Sequence, residues 1–164
     1  MKKSTLVGSV IFTTLAAANA AFGAASGGHY DKYKDIRGSA AEPISRQMGI
    51  DGPSPIENTG HLVEIRVASD HFRLSAHGKT HAREVLIYTN SVQVIDLDEV
   101  EQKATKTIYS ADGRIVTLTA GWDKFHGYQG QYKQVAAVDG QMPEVEKQLK
   151  HYNATLSQAQ KLAR

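Results

Sequence analysis

The sequence predicts an α+β fold: a small antiparallel β-sheet of five or six strands over residues 61–120, followed by a C-terminal α-helix over 143–162. Three observations predict it. Apolar and polar residues alternate from His61 onward, an Asp-Gly step separates two such runs, and the apolar period lengthens to that of a helix after Pro143.

The strands follow in order. In Leu62–Val67, Val63, Ile65 and Val67 share one face while Glu64 and Arg66 share the other. Asp70–Ala76 sets Phe72, Leu74 and Ala76 against His71, Arg73 and Ser75. Arg83–Thr89 is rich in large apolar residues, and Ser91–Ile95 gives a fourth run. Asp96–Ala104 turns acidic and reads as a loop or one helical turn. Thr105–Tyr109 and Arg114–Thr119 flank Asp112-Gly113, a hairpin signal. The helix is marked by Val145, Leu149, Tyr152, Leu156 and Ala159, with Pro143 in its first turn and Glu146 four residues ahead of Lys150. Its stripe is narrow, so it packs on the sheet or pairs with a copy or an envelope protein partner.

The N-terminus has the three parts of an export signal, expected over residues 1–20. Lys2 and Lys3 form the charged region, Leu6–Ala17 the apolar core, and Ala18-Asn19-Ala20 the small-x-small cleavage site. The apolar run falls short of the roughly 20 residues needed to span a bilayer, so no transmembrane segment is expected after cleavage. Residues 21–60 carry seven glycines and three of the four prolines and read as a flexible lead-in, with a helical turn at Pro43–Met48. The single α+β domain is expected over 61–164.

Cleavage after Ala20 leaves 144 of the 164 residues and removes two lysines, and with them the formal charge of +2. A neutral chain with interspersed charges offers no footprint for nucleic acid. The absence of cysteine excludes a lipid tether on cysteine, disulfides and thiol catalysis. These properties suit an exported, periplasmic or secreted, non-enzymatic protein in envelope homeostasis or stress tolerance.

Two sets of residues carry chemistry. If Gly78-Lys79-Thr80 forms a three-residue loop, His77 and His81 face each other, with Cβ atoms about 4.5–5.5 Å apart. Two imidazoles at that spacing suit Cu(II) or Zn(II), with a third ligand from His61, His126, Glu84 or Asp70. His71 stands ~20 Å further along the strand and cannot join them. The second set is apolar: Trp122, Phe125, Tyr128 and Tyr132 in an aromatic, glycine-broken loop, and Leu149, Tyr152 and Leu156 on the helix. Either could contact a partner, which gives the alternative reading of an accessory subunit or inhibitor. Gly78-Lys79-Thr80 is no phosphate loop, because Arg73 stands where the motif needs glycine. Asp96, Asp98, Glu99 and Glu101 lack the central glycine of a calcium loop. Ser69, Ser75 and Ser110 lie outside any nucleophile elbow, so no catalytic residue is expected.

Overall fold

The computed structural model describes residues 30–54 and 60–164; the expected signal peptide lies outside the described residues, as do parts of the lead-in. One antiparallel sheet dominates. Its strands are β1 (Lys32–Arg37), β2 (Leu62–Val67), β3 (His71–His77), β4 (His81–Tyr88), β5 (Ser91–Asp98), β6 (Lys103–Ser110), β7 (Ile115–Asp123) and β8 (Gly127–Val138). Spatial order equals sequence order, so every strand pairs with its chain neighbour and the sheet is a plain meander. Among the described residues two α-helices accompany it, α1 (Glu42–Gln47) and α2 (Met142–Leu162). No helix among the described residues is long and apolar enough to cross a membrane.

The predicted class holds, with eight strands in place of five or six. The two additions are the edges. β1 comes from the segment expected to be a lead-in, and it buries only Ile36 of its six residues, so it has no alternation to read. β8 takes in Tyr128 and Tyr132 of the expected aromatic loop. Gly127 and Gly130, both at positive φ, and two register shifts against β7 hide its period. Asp96–Ala104 divides between β5, a turn and β6. In the turn, Asp98 Oδ1 accepts hydrogen bonds from the Val100 and Glu101 N–H groups.

The two sheet faces are buried by different means. On one, Ile36, Val63, Ile65, Leu74, Val85, Ile87, Val92 and Val94 pack against the helices, which contribute Ile44, Met48, Tyr152, Leu156 and Ala159. The predicted helix therefore spends its stripe on its own sheet. On the other face, Leu86, Ile95, Leu97, Ala104, Ile108, Val116, Leu118, Ala120 and Tyr132 form a cluster drawn from strands alone. Strands bury one another without a second layer only when the sheet curls, as the right-handed twist of long meanders promotes. This face, which carries no helix among the described residues, is thus the inside of the curl.

Short-range chemistry fixes α1. It ends in a Schellman motif: Gly49 N–H bonds the Arg46 carbonyl and Ile50 N–H the Ser45 carbonyl, with Gly49 at φ +76°. Arg83 on β4 then bonds the Met48 carbonyl at 3.0 Å, and His151 on α2 bonds the Gln47 carbonyl at 2.8 Å. The Arg83 cation is favourable near the negative pole of a helix, and the two bonds together tie α1 between sheet and α2.

Candidate binding site

Strand register lays polar residues across the inside of the curl in two adjacent rows. One row runs Asp35, Glu64, Ser75, Glu84, Ile95, Lys106, Leu118, and the next runs Tyr33, Arg66, Arg73, Leu86, Gln93, Ile108, Val116. Because successive side chains on a strand alternate faces, Arg73 and Ser75 point inward while Phe72 and Leu74 point to the helices.

Opposite charges pair along these rows. Arg66 reaches Asp35 at 2.8 Å and Glu64 at 2.6 Å, and its guanidinium lies over the Tyr33 ring. His77 Nε2 bonds the other Glu64 oxygen at 2.7 Å, and that bond, more than any other influence, holds the Glu64 carboxyl below its ordinary 4.5. Deeper in, Arg73 Nη2 donates to Glu84 Oε1 at 2.7 Å.

Beyond that pair the interior stays polar. Lys106 is fully buried, with its ammonium 4.4 Å from the centre of the Tyr132 ring, and burial pushes it down to about 8, against the upward pull of Glu84. Tyr128 and Tyr132 lie with ring centres 5.5 Å apart. Burial raises both phenols, and the Glu84 carboxylate raises them further.

Burying charge costs several kcal/mol per ion unless geometry and hydrogen bonds offset it. Here the offset is incomplete. Among the described residues, Arg73 Nε, Ser75 Oγ, Glu84 Oε2 and Gln93 Oε1 are shut away from solvent with no hydrogen-bond partner. A buried group left unmatched costs about 1–3 kcal/mol, and native interiors pair most such groups. Four of them on neighbouring strands of one face form a set: one N–H donor, two carbonyl-type acceptors and a hydroxyl that serves as either. A small molecule carrying both donors and acceptors matches it.

A second string sits at the far end of β3. Asp70 accepts from His71 Nδ1 at 2.7 Å, leaving Nε2 to accept from the Tyr30 hydroxyl at 3.1 Å, with the imidazole stacked on Tyr88. The order carboxylate–imidazole–hydroxyl invites a catalytic reading. Burial raises Tyr30 and pushes Tyr88 up to about 12, opposite to what an activated phenol requires.

The histidine pair read from the sequence does not converge. Four residues, not three, separate the facing positions, so the β3–β4 register sets His77 opposite Ala82. His77 therefore points into the curl and onto Glu64, while His81 lies on the helix-covered face and pairs with Asp98 at 2.9 Å. His61 stands at the start of β2, and His126 sits in the β7–β8 turn against Asp123. Among the described residues no three histidine, aspartate or glutamate side chains are grouped to hold a metal ion. Of the aromatic set, Trp122, Tyr128 and Tyr132 belong to the inner cluster, whereas Phe125 in the turn is 82% exposed. Tyr152 and Leu156 are buried in the helix-side core, with Leu149 packed at its margin.

No protein-family model, curated protein or solved structure matches the chain. Its chemistry is therefore read from its own residues. Arg73, Gln93 and Lys106 are not among the site residues that the sequence predicts, because a polar strand face has the same pattern whether it is solvated or enclosed. The available signal was β4, where Val85-Leu86-Ile87 is apolar on both faces, a pattern that belongs to doubly covered strands.

Proposed function

We propose that this chain is an exported, non-enzymatic binding protein of the bacterial envelope, and that the inside of its curled sheet holds a small polar ligand. The carrying observation is the buried set of Arg73 Nε, Ser75 Oγ, Glu84 Oε2 and Gln93 Oε1, whose hydrogen-bonding capacity no described residue meets. Glu84 and Gln93 suit ligand donors such as hydroxyl or ammonium groups, and Arg73 suits a ligand carbonyl or carboxylate. Export rests on the charged, apolar and small-residue order of the first twenty residues.

Arginine Nε–H groups give separate signals in nitrogen-correlated NMR spectra, which makes the site directly observable. Adding a panel of amino acids and polyols should shift the Arg73 Nε–H while leaving exposed Arg37 and Arg46 still. A panel that never moves Arg73, or binding that persists in an Arg73→Met/Glu84→Leu protein, rejects the reading. Export has its own measurement: expressed precursor should yield a periplasmic product beginning near Ala21. A transition-metal version would use His77 and His81 separately, and titration with Cu(II) and Zn(II) against each single alanine variant tests it.

The alternative, a protein-contact module, finds support in the exposed apolar residues Phe125, Val135 and Val138 on the β7–β8 hairpin rather than in the helix stripe.

A further inference from the structure

We infer that the protein has a second site, on the helix-covered face, for a single-chain anionic amphiphile such as a medium-chain carboxylate. A groove of about 440 Å³ lies between β1–β3 and the last turn of α2, lined by Lys32, Lys34, Ile65, Val67, Phe72, Gln160 and Arg164. Its volume falls within the roughly 300–1,000 Å³ of small-molecule sites.

Register explains its two-part character. Lys34 pairs with Ile65 and Lys32 with Val67, while Val67 pairs in turn with Phe72. Three apolar side chains therefore make a continuous floor, and the two lysines, two residues apart on the edge strand, stand along one side of it. Arg164 and Gln160 close the other side from the helix. The lining holds three cationic side chains and no carboxylate side chain. Arg164 also bears the terminal carboxylate of the sequence, so the unmatched positive charge is that of Lys32 and Lys34, with which no carboxylate side chain pairs among the described residues. The negative pole of α2 accounts for a cation near its end. It does not account for an apolar floor between cations. A chain on Ile65, Val67 and Phe72 with its carboxylate among the cations satisfies both parts, and the lysine stems can lie along the chain.

The site is independent of the ligand set inside the curl, so each can fail alone. Calorimetric titration of the full protein with decanoate, decyltrimethylammonium and acetate tests it. Decanoate should bind, the other two should bind at least tenfold more weakly, and Lys32→Glu/Lys34→Glu should weaken decanoate at least tenfold. Both lysines are exposed, so that variant should keep the native circular dichroism. Phe72→Ala offers a charge-neutral check on the floor and should weaken decanoate while leaving acetate unchanged. Equal binding of the cationic chain or of acetate overturns the inference. So does full decanoate affinity in the double lysine variant, or binding to phosphatidylglycerol vesicles without uptake of free decanoate.

Discussion

Arg73 on β3 donates from Nη2 to Glu84 Oε1 on β4 at 2.7 Å, on the sheet face that among the described residues is covered by strands alone. Glu84 is buried and Arg73 half-buried, and the second donor and second acceptor of the pair, Arg73 Nε and Glu84 Oε2, find no partner among the described residues. An ion pair in that state is poor value for stability, since well-packed apolar residues of similar size commonly do as well or better. On the proposed reading the pair serves a ligand rather than the fold.

Stability measurements separate those roles. Arg73→Ala strands the Glu84 carboxylate in the interior and should cost about 3 kcal/mol in urea unfolding. Removing both charges in Arg73→Met/Glu84→Leu should recover most of that loss, or exceed the parent stability. A double variant as unstable as Arg73→Ala would show the pair to be a structural necessity.

Lys106 predicts an alkaline rise in stability. Burial lowers its folded value from 10.5 to about 8, so between those limits the unfolded chain binds the proton that the folded one has released. Stability then increases with pH across that window. The buried tyrosines act in the opposite sense above about pH 10, the unfolded phenol value, because folding raises Tyr88 to about 12 and raises Tyr128 and Tyr132 as well. Thermal or urea unfolding should therefore show a maximum at about pH 9–10, on the order of 1–2 kcal/mol above neutral pH. Lys106→Met should abolish the rise. A flat profile from pH 7 to 10 in the parent would contradict it.

The reach of the sequence follows from which residues carry a periodic signal. α2 was legible because Val145, Tyr152, Leu156 and Ala159 bury one face and leave the other polar. Strands β2–β7 were legible because they alternate or carry dense apolar runs. β1 was not, since an edge strand with only Ile36 buried resembles a polar linker. The candidate site was harder still. Glu64, Arg73 and Glu84 look like the solvated side of half-buried strands, and only the curl imposed by two further strands brings that side indoors. The histidine geometry failed for a narrower reason: a one-residue change in loop length reverses the face of His81 relative to His77.

The helix stripe gives the next prediction. Leu156 lies in the core between α2 and the sheet, so Leu156→Ala should cost about 2–5 kcal/mol and leave the molar mass from light scattering unchanged. Deleting residues 143–164 should unfold the chain rather than release a folded, association-defective product. A stable truncated domain, or a variant that only dissociates, would place the stripe at an interface between copies.

Gly49 and Gly52 supply a matched pair for the contact that seats α1. Both have positive φ, +76° and +85°, so alanine at either should cost about 1–2 kcal/mol of left-handed backbone strain. Their surroundings differ. A Cβ at Gly52 meets nothing within 4 Å, whereas one at Gly49 comes within 2.8 Å of Arg83 Nη1, the atom bonded to the Met48 carbonyl. Gly49→Ala should therefore be the more damaging, because Arg83 must either shift from Met48 or loosen its 2.6 Å bond to Asp96. In an Arg83→Ala background that excess should vanish, leaving the two glycine substitutions equal in urea unfolding. An excess that survives there would show that Arg83 does not set the tolerance at Gly49.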